Sequence, residues 1–297
     1  MDLRINLPDG RPLSVWTGGD PGGVPVIYLH GTPSSRLQAV SGHDAAMHQG
    51  VRLIAANRPG YGAASDVPTS LSSIAEDTLA LSDALGLNRF AVLGVSGGGP
   101  FALACGATAP DRVVAVGVVV GVGPWRLIDP PGSNPEDRAA LELADAGDVE
   151  AALAVFRRSA AGDFASMLEL DDDAMMDDFI QPVPEQERAL FTPQLRAVWA
   201  ADLREALTSY DGYARDNLAW GGDWDLDLAA VSSPTWLWYG DEDRLVSADH
   251  GRWLHERIAH STLVIRPGAG HGGAIYPFWD DMLTTLRGAV LAGSVAG

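Results

Sequence analysis

Residues 90–105 read Phe90-Ala91-Val92-Leu93-Gly94-Val95-Ser96-Gly97-Gly98-Gly99-Pro100-Phe101-Ala102-Leu103-Ala104-Cys105. An apolar run leads into Gly94-Val95-Ser96-Gly97-Gly98, and a segment of small and apolar residues leads out. The pattern predicts strand, sharp turn and helix. A serine on such a turn presents its hydroxyl at the end of a sheet, and the flanking glycines leave room for the bend. Ser96 is therefore the candidate nucleophile. The five-residue pattern alone is weak: with 34 glycines in 297 residues, roughly 0.24 matches arise by chance. Its weight comes from the flanking elements and from two partners further along the chain.

Working outward, other apolar runs alternate with helical patterns. Leu3–Leu7 and Leu13–Thr17 flank the turn Pro8-Asp9-Gly10-Arg11-Pro12 and predict an opening hairpin. Pro25–Leu29, Val51–Ala56, Phe90–Val95 and Val113–Val120 predict strands. Helices are expected near Ser35–Gln49, Ser70–Leu85 and on to Thr108. Pro234–Tyr239 and Thr262–Ile265 resume the strand pattern, with helices expected at Ala248–Ile258 and near Pro277–Val290. Such alternation predicts an α/β fold, a mostly parallel sheet flanked by helices. Between Pro124 and Trp224 no strand is expected, only helical periodicity in Asp137–Ala146, Val149–Ala160 and Gln194–Leu218. The expected organisation is a core of residues 1–123 and 225–297 with an inserted helical subdomain over 124–224.

Charge follows the same division. The net charge is −19 and every basic residue is arginine; the stretch from Pro124 to Asp227 carries about four-fifths of that excess. Without lysine, Schiff-base chemistry on a side-chain amine is excluded. Acidity of this degree disfavours nucleic acid and anionic membrane as partners. No apolar run reaches membrane-spanning length and the N-terminus has no apolar signal region, so a cytoplasmic protein is expected. The single cysteine, Cys105, allows no internal disulfide and reads as a small buried hydrophobe. No spacing of Cys and His suggests zinc. The acids Asp171-Asp172-Asp173 and Asp177-Asp178 lack the pattern of a calcium loop and are expected as solvated acids at a helix start. No metal is expected from these residues.

A serine hydroxyl needs a base, and the base needs an orienting group. His271 lies in Gly268-Ala269-Gly270-His271-Gly272-Gly273, after the last strand, and is the candidate base. His250, His255 and His260 are expected on exposed surface. Of Asp241, Glu242 and Asp243, which follow Gly240, Asp243 is favoured as the orienting acid because it lies far enough round the loop to point back over the sheet. For a developing oxyanion, the backbone N–H groups of Gly97 and of Thr32, in His30-Gly31-Thr32-Pro33, are the candidate donors. His30 itself is expected to be structural.

In order, His30-Gly31-Thr32-Pro33, Asn57-Arg58-Pro59-Gly60-Tyr61-Gly62, Gly94-Val95-Ser96-Gly97-Gly98, Gly240-Asp241-Glu242-Asp243 and Gly268-Ala269-Gly270-His271 resemble the signature loops of the α/β-hydrolase fold superfamily, over about residues 10–290. The resemblance implies a Ser96–Asp243–His271 triad, no metal or organic cofactor, and a helical cap over the site. It separates the chain from the dehalogenase and epoxide-hydrolase branches, which place aspartate at the Ser96 position. Asn57 departs from the aspartate more usual there.

The insert is rich in aromatics, most of them expected in its own core; Trp125, Trp199 and Trp220 are the candidates for contact with a substrate in a largely apolar pocket. An acidic mouth would favour neutral or cationic acyl compounds. The expected function is a serine hydrolase acting on an ester, thioester, lactone or related acyl bond of a small molecule. Carbon–carbon or amide and peptide cleavage with the same triad, a non-hydrolytic biosynthetic reaction such as cyclisation or cofactor-free oxygenation, and a ligand receptor are the alternatives. Assembly into a homo-oligomer stays open.

Overall fold

The computed structural model of the protein describes residues 1–128 and 135–295. Eight strands form one sheet: β1 (Asp2–Asn6), β2 (Pro12–Gly19), β3 (Val24–Leu29), β4 (Val51–Ala56), β5 (Phe90–Val95), β6 (Val113–Val119), β7 (Thr235–Gly240) and β8 (Ser261–Arg266). Their order is β1-β2-β4-β3-β5-β6-β7-β8. The expected hairpin is β1–β2; it joins the sheet antiparallel, and every pair from β4 onward is parallel. The strands alternate with α1 (His43–His48), α2 (Leu71–Ala84) and α3 (Gly99–Thr108), then with α10 (Ala248–His255) and α11 (Trp279–Val295).

Strand alternation distributes the core. Ile27 and Leu29 of β3 pack on one face with Ile74 and Leu81 of α2 and Phe101 of α3. Val26 and Tyr28 pack on the other with Ala46 of α1 and Met282 and Leu286 of α11. Because successive side chains of a strand point to opposite faces, a strand covered on both sides must be apolar at every position. The central strands β5 and β6 are fully buried throughout, which is why both read as unbroken apolar runs. Cys105 is buried in α3, and burial pushes its thiol up to about 12, with only weak opposition from Thr78, so it is no nucleophile at neutral pH.

Between β6 and β7 lie only helices among the described residues: α4 (Pro135–Asp145), α5 (Val149–Leu168), α6 (Asp172–Ile180), α7 (Glu185–Arg188), α8 (Pro193–Ala206) and α9 (Asp211–Gly221). The single helix expected over Gln194–Leu218 is two, broken at residues 207–210. α5 runs eight residues past the expected end, α6 starts at the acidic run expected at a helix start, and α7 was not anticipated. Asp171 caps α6 through the Ala174 N–H, as an acid at a helix start should. Asp172 and Asp177 are paired with Arg204 and Arg196 of α8, so this acidic run is partly neutralised. The helix expected near Ser35–Gln49 is instead a 3₁₀ segment, Arg36–Gly42, followed by the short α1. No helix among the described residues is long and apolar enough to cross a membrane.

Candidate active site

The turn after β5 holds Ser96 at φ 53°, the left-handed region that non-glycine residues rarely occupy. Three glycines make that turn possible. A Cβ on Gly94 would lie 2.3 Å from the Gly98 carbonyl oxygen, one on Gly98 would lie 2.1 Å from the Leu29 carbonyl oxygen, and one on Gly97 would lie 2.3 Å from the Thr32 hydroxyl. The first two obstacles are backbone and cannot swing aside. Gly98→Ala is therefore expected to cost more than about 3 kcal/mol, read by calorimetry as a fall in melting temperature of roughly 6 °C or more.

The loops after β7 and β8 bring Asp243 and His271 together. Asp243 Oδ2 lies 2.7 Å from His271 Nδ1, and Asp243 Oδ1 accepts the N–H groups of Leu245 and Val246 at 2.8 and 3.0 Å. Asp241 instead accepts the Gly268 N–H at the exposed edge of the loop, so of the competing acids Asp243 is the one on the histidine. The Asp243 side chain is fully buried. Burial alone would raise its carboxyl; the His271 charge, the hydrogen bond from His271 and the two backbone N–H groups outweigh burial and hold it below the usual carboxylate range. Burial likewise pulls His271 down, but Asp243, and more weakly Glu187, hold it above its ordinary 6.5.

Ser96, Asp243 and His271 all lie beyond the carboxyl ends of parallel strands, where ligands of open α/β sheets bind. No hydrogen bond joins the Ser96 hydroxyl to the His271 ring in this conformation. Such contacts are often long in ligand-free proteins and tighten only on the substrate complex.

The loop after β3 packs on the elbow: a Cβ on Gly31 would lie 3.6 Å from the Ser96 Cβ. Its orientation is set by a buried network. Arg58 donates to the carbonyls of His30 at 2.7 Å and Gly31 at 3.0 Å, and it pairs with Asp216 of α9 through Nε at 3.0 Å and a terminal nitrogen at 2.5 Å. Asp216 also accepts the hydroxyls of Thr32 and Tyr61, each at 2.7 Å. Within a trans peptide the C=O and the following N–H point oppositely. With the Gly31 carbonyl turned to Arg58, the Thr32 N–H faces away from Arg58, and it has no acceptor among the described residues. His30 is fully buried, with Nδ1 on the Gly31 carbonyl and Nε2 accepting the Arg58 N–H. Burial, with help from Arg58, lowers it well below 6.5, so it is a neutral structural residue, as expected.

The aromatic candidates separate. Gly212, Asp216 and Trp220 form one stripe of α9, at four-residue spacing. Gly212 meets Tyr61, Asp216 meets Thr32, and the Trp220 indole nitrogen lies 3.2 Å from where a side chain on Gly97 would begin. That nitrogen is buried without a hydrogen-bond partner among the described residues. Trp125 packs edge-on against Trp220 at 5.3 Å. Trp199 donates to the Tyr276 hydroxyl at 2.7 Å and stacks near Phe179, so it joins the inserted helices to the segment after His271.

One expectation is corrected. His250 is not surface: it is fully buried in α10 and accepts the Gly123 N–H at 2.7 Å, and burial lowers it to about 4 despite Asp243 and Asp249. It anchors the loop after β6 instead of facing solvent. His255 and His260 are exposed. Reasoning from the sequence missed Arg58 as an organising residue, although the motif containing it was noted, and missed Glu187, Asp202 and Asp216 altogether. Asp202 of α8 is fully buried on the Ser34 and Ser35 hydroxyls and the Ser35 N–H. Asn57 accepts the Arg36 N–H and donates to Glu205 at 2.7 Å. An aspartate there would set two carboxylates face to face, which accounts for the departure.

The α/β hydrolase fold family matches residues 24–276. The chain belongs to that family. It is 32% identical over 106 residues to the uncharacterized hydrolase YcgS of Bacillus subtilis (strain 168), covering 35% of this chain and 36% of that protein. It is 28% identical over 209 residues to RutD of Caulobacter sp. (strain K31), named as a carbamate hydrolase, covering 69% of this chain and 67% of that one. The match to YcgS thus spans about a third of that relative's length. The structure of the enol-lactonase from Burkholderia xenovorans LB400 superposes with a TM-score of 0.66 at 18% identity, over 97% of this chain and all of that one, a likeness of fold.

Proposed function

We propose that this α/β-hydrolase-fold protein is a serine hydrolase that cleaves an ester, thioester, lactone or related acyl bond of a small, largely apolar molecule. The observation that carries the reading is the 2.7 Å contact between Asp243 and His271, on the same sheet edge as a serine held at φ 53°. The names borne by the Caulobacter relative and the Burkholderia structure are consistent with acyl chemistry.

In this reading Asp243 accepts the Nδ1–H of His271, which leaves Nε2 free to take the Ser96 proton as Oγ attacks the substrate carbonyl. The Thr32 and Gly97 N–H groups receive the negative oxygen. The leaving group then departs with the proton from Nε2, leaving an ester on Ser96. Water attacks that ester, gives its proton to His271, and the carbonyl re-forms as Ser96 Oγ leaves and recovers the proton. The inserted helices serve as a cap, and the Trp125–Trp220 pair lines its inner side.

A pH profile tests the assignment of the base. His271 works only when neutral, and its folded value lies above 6.5, so kcat/KM for p-nitrophenyl esters is expected to fall as pH drops through a midpoint above 6.5. A profile flat down to pH values typical of an unperturbed carboxylate would remove His271 from the role. Running esters, lactones and aminoacyl amides side by side identifies the bond cleaved.

A further inference from the structure

Gly270-His271-Gly272-Gly273 is held from across the molecule by a single carboxylate. Glu187, on α7 of the inserted helices, accepts the N–H of Gly270 at 2.7 Å and of Gly273 at 2.8 Å, both through Oε1. These two donors bracket His271. The contact explains the glycines: a Cβ on Gly270 would lie 2.7 Å from Glu187 Oε1, and one on Gly273 only 2.3 Å away. Glu187 is buried, and it has no basic side chain within ion-pair distance among the described residues. The neighbouring Arg188 turns the other way, onto the Val183 and Gln181 carbonyls. A buried, unpaired carboxylate is costly unless hydrogen bonds stabilise it, and here both bonds come from the loop of the candidate base.

We propose that Glu187 is a positioning residue for His271: it locks the 270–273 loop so that the imidazole stays on Asp243, and its charge supports the imidazolium formed during acyl transfer. This rests on the hydrolase reading above. It also makes the competence of the base depend on where the inserted helices sit, because Glu187 belongs to them and His271 to the sheet. The charges facing His271 are Asp243 from the loop after β7 and Glu187 from α7. On its own side of the loop, Tyr276 is kept neutral by burial, and Asp241 lies on the Gly268 N–H.

The test compares the intact protein with Glu187→Gln and Glu187→Ala. Glutamine keeps the accepting oxygen and removes the charge; alanine removes both. Kinetics of p-nitrophenyl ester hydrolysis are followed with pH, alongside NMR titration of the His271 ring, assigned by its loss in His271→Asn. Glu187→Ala is expected to lower kcat by about 10- to 100-fold with KM within about threefold, as expected when a reacting group is slightly misplaced. Glu187→Gln is expected to lose less activity and to lower the His271 midpoint by roughly half a unit, less than the 1–3 of a directly contacting charge. An unmoved midpoint in Glu187→Gln, together with kcat within about twofold of the parent in both variants, overturns the proposal. Should Glu187→Ala fail to fold, Glu187→Gln decides by the same two readouts. Should the parent hydrolyse no ester, the NMR midpoint still decides the positioning claim, and only the hydrolase reading falls.

Discussion

Replacing Ser96 with alanine is expected to lower ester turnover by roughly ten-thousand-fold or more, in line with removal of the nucleophile from other serine enzymes. The expected loss is of kcat rather than of substrate affinity. The substitution removes one oxygen from a half-buried side chain, while the glycines that permit the turn, the Gly31 contact and the Asp243–His271 pair stay as they are. Melting temperature is therefore expected to change little. A variant that melts normally and turns over normally would show that the chemistry lies elsewhere. A small residual rate is expected even so, since donors to the oxyanion and simple binding accelerate acyl hydrolysis without a nucleophile.

The largest stability effect is expected at Asp216. Its carboxylate is fully buried and the Arg58 side chain is 2% exposed. Removing the carboxylate by Asp216→Ala leaves a guanidinium without its counter-charge in the interior, which costs about 3–5 kcal/mol. In a chain of this size the melting temperature is then expected to fall by roughly 6–20 °C. The hydroxyls of Thr32 and Tyr61 lose the same acceptor. The loop carrying the Thr32 N–H therefore loosens, and kcat is expected to fall by more than the folded fraction explains. A variant with an unchanged melting temperature would contradict the view that this ion pair fastens α9 to the loop after β3. Arg58→Met combined with Asp216→Leu is expected to recover much of the stability, since an apolar pair leaves no buried charge, but not the activity.

How far the sequence could be read depended on the separation of the interacting residues. The sheet was legible because burial on both faces writes itself locally, as unbroken apolar runs such as Phe90–Val95 and Val113–Val119. The elbow was legible because glycine at fixed offsets from Ser96 reflects clashes within a few residues. Asp243 was legible as a loop position. The inserted helices were harder. The 3.6-residue pattern continues across residues 207–210, so the break between α8 and α9 left no mark in periodicity. Gly162 lies two residues past the expected end of α5, and the helix runs on through it to Leu168.

The acids of the insert were the main misreading. Asp202, Asp216 and Glu187 look in sequence like the solvated acids around Asp172, yet they are buried against the loops of Ser35, Thr32 and His271. Their partners lie 167, 184 and 83 residues away, beyond the reach of any local pattern. His250 failed for the same reason, since its partner Gly123 is 127 residues distant. One trace was present: Asp216 and Trp220 share a stripe, and an acid on the tryptophan face of a helix calls for a buried cation. These three acids are thus part of how the insert seats on the sheet.

The most direct measurement is covalent labelling with a fluorophosphonate, followed by intact mass and peptide mapping. It asks whether an alcohol in this protein is made nucleophilic by an imidazole that a carboxylate holds in place. One adduct per chain is expected, on Ser96, with labelling much slowed in His271→Asn and absent in Ser96→Ala. An adduct on another residue, or folded protein that stays unlabelled beside a reactive control enzyme, would contradict the assignment of Ser96, His271 and Asp243 as one catalytic unit.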